Sequence, residues 1–309
     1  MVALSYFFPN SVLFTLLEIS LLSINAAGTP IRRQAAFSTL SPVQIAAFKP
    51  FTFYASTAYC QPSKILSWTC GANCNANPTF KPVASGGNGV NVQFWYVGYD
   101  PTLKTVIVGH QGTDPSKVVP LLTDAKVALR PLSSSLFPGV PSTIKVHDGF
   151  ANEHAKTATA VLAAVKKALQ QSKFNKVTLV GHSLGKNLGG ALSLLESVYL
   201  PLFLPTVTFR MIGYGTPRVG NQAFATYIDQ HVNLDRVNNL DDVVPILPGR
   251  FLGFHHPSGE KHIQPNKSWI VCLGDDNTDD RCSTGDVGNI FEGDVSDHDG
   301  PYDGVTMGC

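Results

Sequence analysis

Charge is scarce in this chain. Only 15% of its 309 residues are Asp, Glu, Lys or Arg, against roughly 25% in an average soluble protein. The 23 basic and 22 acidic residues leave a net charge of +1. A chain this close to neutral lacks the surplus of Lys and Arg that phosphate neutralisation needs, which excludes a nucleic-acid binder. Cysteine is also sparse, with six in the whole chain. That is too few for a small disulfide-framework protein, but the even number allows pairing in an oxidising compartment. No C-x2-C pair and no EF-hand spacing is present, so no metal is expected. Apolar runs long enough to span a bilayer, about 20 residues, are missing as well. What is abundant is Gly (27) and Pro (21), which excludes a coiled coil and fits short elements joined by turns.

The one extended apolar segment covers residues 11–24 and ends in Ala26, Ala27 and Gly28. Its length suits a signal-peptide core, although Glu18 lies inside it and no Lys or Arg precedes it. The expectation is a signal peptide over 1–28, a short propeptide over 29–33 ending at Arg32-Arg33, and a secreted, extracellular chain with no transmembrane span. The remaining residues, 34–309, read as a single α/β domain. A helical pattern runs over 41–58, and Ala158, Val161, Leu162, Val165 and Leu169 predict an amphipathic helix over 151–171. Strands are predicted at 92–97, 105–108, 177–180, 206–213 and 234–237, with a helix over 222–231. Strands alternating with helices imply βαβ units and a mostly parallel central sheet with helices on both faces.

The most specific motif is Gly181-His-Ser-Leu-Gly185, a G-x-S-x-G directly after an apolar strand. The small flanking residues tolerate a sharp strand-to-helix turn that presents Ser183 at the sheet edge, with the Leu184 N–H beside it. A serine nucleophile needs a base and an orienting acid, which in this arrangement follow it in the chain. His231, His255, His256, His262 and His298 all qualify by order. So do Asp229, Asp235, Asp241, Asp242 and the acids of the C-terminal stretch. Order alone does not choose among them.

Five segments taken together carry a resemblance: 108–113 (VGHQGT), 146–150 (VHDGF), 181–185 (GHSLG), 214–221 (YGTPRVGN) and 242–248 (DVVPILP). They resemble the fungal secreted triacylglycerol lipases of the class 3 lipase family, which also contains feruloyl esterases. The resemblance covers about residues 42–309 and implies an α/β-hydrolase fold. It implies Ser183, His298 and Asp242 as nucleophile, base and orienting acid, and Thr113 and Leu184 as oxyanion donors. It makes His147 and His182 packing and hydrogen-bonding neighbours of the turn, and it places a short amphipathic lid over 114–132, interrupted by Pro120. Together with proximity it also implies three bridges: Cys60 with Cys309, Cys70 with Cys74, and Cys272 with Cys282.

The implied partner is a lipid or ester substrate, met at an oil–water interface if the lid opens there, and the expected state is a monomer without metal or cofactor. Asn266-Lys-Ser268 is the only N-glycosylation sequon. The acid-rich stretch 275–303 reads as a solvated surface. One departure from the family pattern is notable. The chain carries four additional residues after Leu184, Gly185-Lys-Asn-Leu188, before the small-residue run resumes. A feruloyl or short-chain esterase is the same-class alternative, and a catalytically impaired lipase-like binding protein is the alternative that the insertion raises.

Overall fold

Alternation of period two builds the sheet. Along the strand Thr105–His110, Val106 and Val108 enter one apolar cluster while Ile107 enters another. Val177 and Leu179 divide from Val180 in the same way, as does Met211 from Ile212. Both faces are therefore apolar and both are covered, the signature of a sheet sandwiched between helices.

The computed structural model describes residues 37–112, 127–183 and 189–309. Residues Phe37–Cys309 belong to one compact unit. The chain begins with β1 (Ser38–Thr39), α1 (Pro42–Ala46), α2 (Lys49–Thr57), α3 (Pro62–Leu66) and α4 (Ala72–Asn75). The strands β2 (Lys81–Gly86), β3 (Trp95–Asp100), β4 (Thr105–His110), β5 (Leu129–Pro131) and β6 (Lys145–His147) follow. Next come α5 (Asp148–Ser172), β7 (Lys176–His182), α6 (Gly189–Phe203), β8 (Thr208–Tyr214), α7 (Gln222–His231) and β9 (Leu234–Asn239). The described chain ends with β10 (Glu260–Ile263), β11 (Trp269–Val271), α8 (Ser283–Asp286) and a 3-10 turn at Val295–Asp299.

The nine-stranded sheet has the order β1-β11-β10-β9-β8-β7-β4-β3-β2. Its five central strands, β4, β7, β8, β9 and β10, are mutually parallel, and antiparallel strands close both edges. The parallel centre matches the βαβ reading, and the antiparallel margins make the whole sheet mixed. The strand predicted at 92–97 falls on β3 of one margin, whereas β1, β10 and β11 were not anticipated, because they are only two to four residues long, too short for alternation to show.

The predicted helix over 41–58 is two helices. Ser41 and Gln44 form a reciprocal capping box at the start of α1, with Pro42 in its first turn. Pro50 then sits in the first turn of α2, where its missing N–H costs nothing. Helix α5 extends three residues before and one beyond its predicted span. His147 caps its start by accepting from Gly149 N at 3.0 Å, and Lys173 ends it in a left-handed conformation. Helix α6 is apolar on nearly every side, and Gly189 through Leu200 are all buried, as a helix against a sheet centre must be. Helix α7 coincides with its predicted span.

Candidate active site

Strand β7 delivers the chain to Ser183, which adopts a φ of 68°. A non-glycine residue in this left-handed region costs of order 1–3 kcal/mol and persists only where the surroundings enforce it. Here Ser183 N donates to the Tyr214 carbonyl at 2.9 Å. Tyr214 ends the neighbouring strand β8, so the sheet itself holds the strained turn.

Three residues distant in sequence meet at this edge. Ser183 Oγ donates to His298 Nε2 at 2.5 Å, and His298 Nδ1 donates to Asp242 Oδ2 at 2.8 Å. All three are buried to 1% exposure or less. Asp242 lies just after β9, and its other oxygen accepts from Val244 N at 2.9 Å, which fixes the carboxylate. His298 sits in the 3-10 turn that Asp294 caps by accepting from Ser296 N at 2.7 Å. The close approach of strand and loop depends on Gly215, whose φ is +51°. A Cβ there would come within 2.7 Å of the His298 ring and 2.9 Å of Asp242 Oδ2.

The remaining acids and histidines are engaged elsewhere. Asp241 is exposed, Asp235 pairs with Arg210 and Lys261, and Asp229 accepts from Ser258. His231 bonds the Tyr227 carbonyl, His256 that of Pro245 and His262 that of Leu240. His255 lies 3.4 Å from Asp276. Of the candidates that chain order allows, His298 and Asp242 are the pair placed in line with Ser183.

A second layer holds the imidazole. The His298 carbonyl accepts from His182 Nε2 at 2.8 Å and from the Tyr302 hydroxyl at 2.8 Å. Because a carbonyl only accepts, His182 carries its proton on Nε2, so its Nδ1 accepts from the Tyr59 hydroxyl at 2.5 Å. Burial pushes the His182 pKa well down, with the neighbouring His298 adding to the effect. Burial likewise pushes the Tyr59 hydroxyl well up, with the charge of Asp299 acting in the same sense. Both shifts preserve the neutral forms that this chain of hydrogen bonds requires. Sequence reasoning missed Tyr59 and Tyr302. Their only local signal is proximity to Cys60 and to His298, which specifies no role.

Thr113 and Leu184 lie outside the described residues, as do the insertion Gly185–Leu188, the lid up to residue 126, and the segments 1–28 and 29–33. Of the lid span, Leu129–Pro131 forms β5 and pairs with β6. The described cysteines pair as Cys60–Cys309, Cys70–Cys74 and Cys272–Cys282. Asn266 is exposed in the tight turn between β10 and β11, where it accepts from Ser268 N at 2.9 Å. Among the described residues no group of His, Cys, Asp or Glu is arranged to hold a metal ion. A cavity of about 680 Å³ opens beside Ile246, Leu247, Phe251, Leu252, Val287 and Ile290, and no triad residue lines it.

Comparison with known proteins agrees with this geometry. The family model for lipase (class 3) matches residues 107–252. The secreted mono- and diacylglycerol lipase MDL2 of Malassezia globosa is 34% identical over 210 residues, 66% of this chain and 66% of the relative. MDL4 of the same organism is 27% identical over 293 residues, 92% of this chain and 91% of the relative. The chain thus spans about two thirds of MDL2 and nine-tenths of MDL4. Among solved structures, the Rhizomucor miehei triacylglyceride lipase superposes with a TM-score of 0.73 at 25% identity, covering 88% of this chain and 98% of that one. Lipase II from Rhizopus niveus gives 0.74 at 25% identity, covering 88% and 99%. A triacylglycerol lipase whose catalytic centre is a serine-protease triad gives 0.73, also at 25% identity, covering 88% and 98%. On its motifs, its fold and these matches, the chain belongs to the class 3 lipase family.

Proposed function

We propose that this chain is a secreted lipase that hydrolyses acylglycerol esters through an acyl-enzyme on Ser183. The observation that carries the proposal is the continuous hydrogen-bonded line from Ser183 Oγ through His298 to Asp242. Ser183 Oγ attacks the ester carbonyl as its proton passes to His298 Nε2, and the imidazolium that forms is stabilised by Asp242. Collapse of the tetrahedral intermediate breaks the ester C–O bond, and His298 returns the proton to the leaving glycerol oxygen. Water then repeats the sequence on the acyl-enzyme, releasing the fatty acid and restoring the Ser183 hydroxyl. Ester hydrolysis as the reaction class follows from the family, and secretion from relatives that are named secreted lipases. No helix among the described residues is long and apolar enough to cross a membrane.

The test is labelling with a serine-directed alkyl phosphonate. One adduct per folded chain, mapped by mass spectrometry to Ser183, is expected. Folded protein that takes up no label would establish the impaired, binding-only alternative instead. A substrate panel then separates the ester classes. Long-chain acylglycerol is expected to be cleaved faster than a soluble aryl ester such as methyl ferulate, and the reverse order would make the chain a feruloyl or short-chain esterase.

Action as a monomer at an oil–water boundary belongs to the same proposal. Phe251 is 89% exposed and Phe291 91%, and Phe251, Leu252 and Ile290 line the cavity described above. Moving one phenylalanine side chain from water into lipid yields about 2 kcal/mol. Replacing both Phe251 and Phe291 by Ser is expected to weaken adsorption to a triolein emulsion roughly 1000-fold on that scale, while hydrolysis of a dissolved short-chain ester changes less than about twofold. Equal losses on both substrates would remove these residues from the interface.

A further inference from the structure

Directly beneath the strand that leads to Gly112, the core contains three titratable side chains that the proposed mechanism does not use. His110 is the last residue of β4, His154 lies on α5, and Glu196 lies on α6, the helix that follows the nucleophile turn. All three are fully buried. Glu196 Oε1 lies 3.5 Å from His154 Nε2 and 3.9 Å from His110 Nε2. Neither carboxylate oxygen and none of the four ring nitrogens has a hydrogen-bond partner among the described residues. The surroundings are apolar: the His154 ring packs against Phe137 and Tyr199, at centroid distances of 5.4 and 5.3 Å.

Such a cluster runs against the chemistry of a core. Burying a carboxylate costs several kcal/mol before its partners repay it, and a well-packed apolar trio of similar volume is often as stable or more so. Packing therefore gives no reason for the charges. Their placement does. Helix α6 starts directly against the end of β4, so closely that a Cβ at Gly189 would come within 2.6 Å of the His110 carbonyl oxygen and 2.7 Å of Gly112 N. Glu196 lies two turns farther along the same helix and faces His110 from the same strand end. The N–H of Gly190, on the first turn, donates to the Ser183 carbonyl at 2.9 Å. The cluster thus joins β4 and α6, whose ends lie against Ser183, to α5.

We propose that Glu196 shares one proton with His154, that His110 completes the cluster, and that this buried ionic clamp positions the start of α6 and the end of β4 around Ser183. The inference rests on the hydrolase reading above. Glu196 is a positioning residue, because it acts through the backbone on either side of the nucleophile and touches no reacting atom. The proton resides on the shorter contact, between Glu196 and His154. His110 stays neutral, its pKa lowered to about 3 by burial and by the nearby His154. The further titratable group facing the cluster is Tyr199 on α6, whose hydroxyl is held protonated by burial and by the charge of Glu196.

The test compares the wild-type chain with Glu196→Gln and Glu196→Asp. Displacement of catalytic groups by about 1 Å costs on the order of 100-fold in rate. Glu196→Gln is accordingly expected to lower kcat on a dissolved ester by about 10- to 100-fold, with KM within about twofold of wild type. Glu196→Asp, which keeps the charge, is expected to recover most of that loss. Rates are expressed per phosphonate-reactive site, so unfolded protein does not enter. Nitrogen NMR of the histidine rings supplies a readout independent of activity, in which His154 is expected as an imidazolium in the wild type and as a neutral ring in Glu196→Gln at the same pH. A neutral His154 in the wild type, or an unchanged kcat per site in Glu196→Gln, overturns the clamp. A wild-type chain that shows the imidazolium but takes no phosphonate instead overturns the hydrolase reading.

Discussion

Ser183→Ala is expected to lower kcat on any ester substrate by about 10^6-fold, the scale on which serine hydrolases lose activity when the nucleophile is removed. The substitution is conservative for the fold. Alanine keeps the Cβ that already occupies the left-handed conformation at φ 68°, and the Ser183 N–H bond to Tyr214 is a backbone interaction. The thermal midpoint is therefore expected to stay within a few degrees of wild type while turnover disappears. Asp242→Asn supplies the complementary test. The asparagine fits the same space and its carbonyl oxygen can still accept from Val244 N, but its amide presents an N–H where His298 Nδ1 needs an acceptor. The imidazole is then held in the wrong tautomer, which costs about 10^4-fold in kcat where it has been measured in a serine triad. Single-turnover kinetics with a chromogenic ester checks both variants. Residual activity above about 1% of wild type in Ser183→Ala would falsify the assignment of the nucleophile, since triad removal never leaves so much.

Removing the bridge between Cys60 and Cys309 is expected to produce the largest loss of stability. Its two cysteines are 249 residues apart, and closing so long a loop stabilises by about 5 kcal/mol in the chain-entropy model. For a domain of this size that corresponds to roughly 10–20 °C in the thermal midpoint. The bridge also anchors the last turn of the chain. Ser56 Oγ on α2 donates to the Gly308 carbonyl at 2.7 Å, and Asn73 Nδ2 donates to the same oxygen at 2.8 Å. The segment held in this way carries Tyr302 and His298, so a Cys60→Ser, Cys309→Ser double variant is expected to lose activity at a lower urea concentration than wild type. The four-residue separation of Cys70 and Cys74 predicts only about 2 kcal/mol for its removal on the same model. Equal urea midpoints for the two double variants would contradict the loop-length account.

The legible parts of the molecule were those specified by neighbouring residues. Val177–Val180 reads as a strand because it is a compact apolar run that Gly181 ends, and it lies inside β7, as the reading at 234–237 lies inside β9. Helix α7 was legible to the residue, because Asn221 caps its start by accepting from Phe224 N. The strand reading at 92–97 began too early. Asn88 Oδ1 accepts from the N–H groups of Val90, Asn91 and Val92, and this turn delays the start of β3 to Trp95. Side-chain capture of backbone donors in this way competes with strand pairing.

The G-x-S-x-G turn after an apolar strand, the βαβ alternation and the near-neutral charge are local or compositional properties, and the scarcity of charge at the outset already excluded a phosphate-binding surface. These were decided by the order of residues alone. Which histidine faces Ser183, how Tyr59 and His182 support His298, and why two histidines and a glutamate share an apolar core were decided only by tertiary structure. Each depends on groups up to 123 residues apart meeting within a few ångströms. Local periodicity records which face a residue takes, but the strength of a hydrogen bond or ion pair depends on a distance and a dielectric environment that exist only once the sheet has formed and water has been expelled.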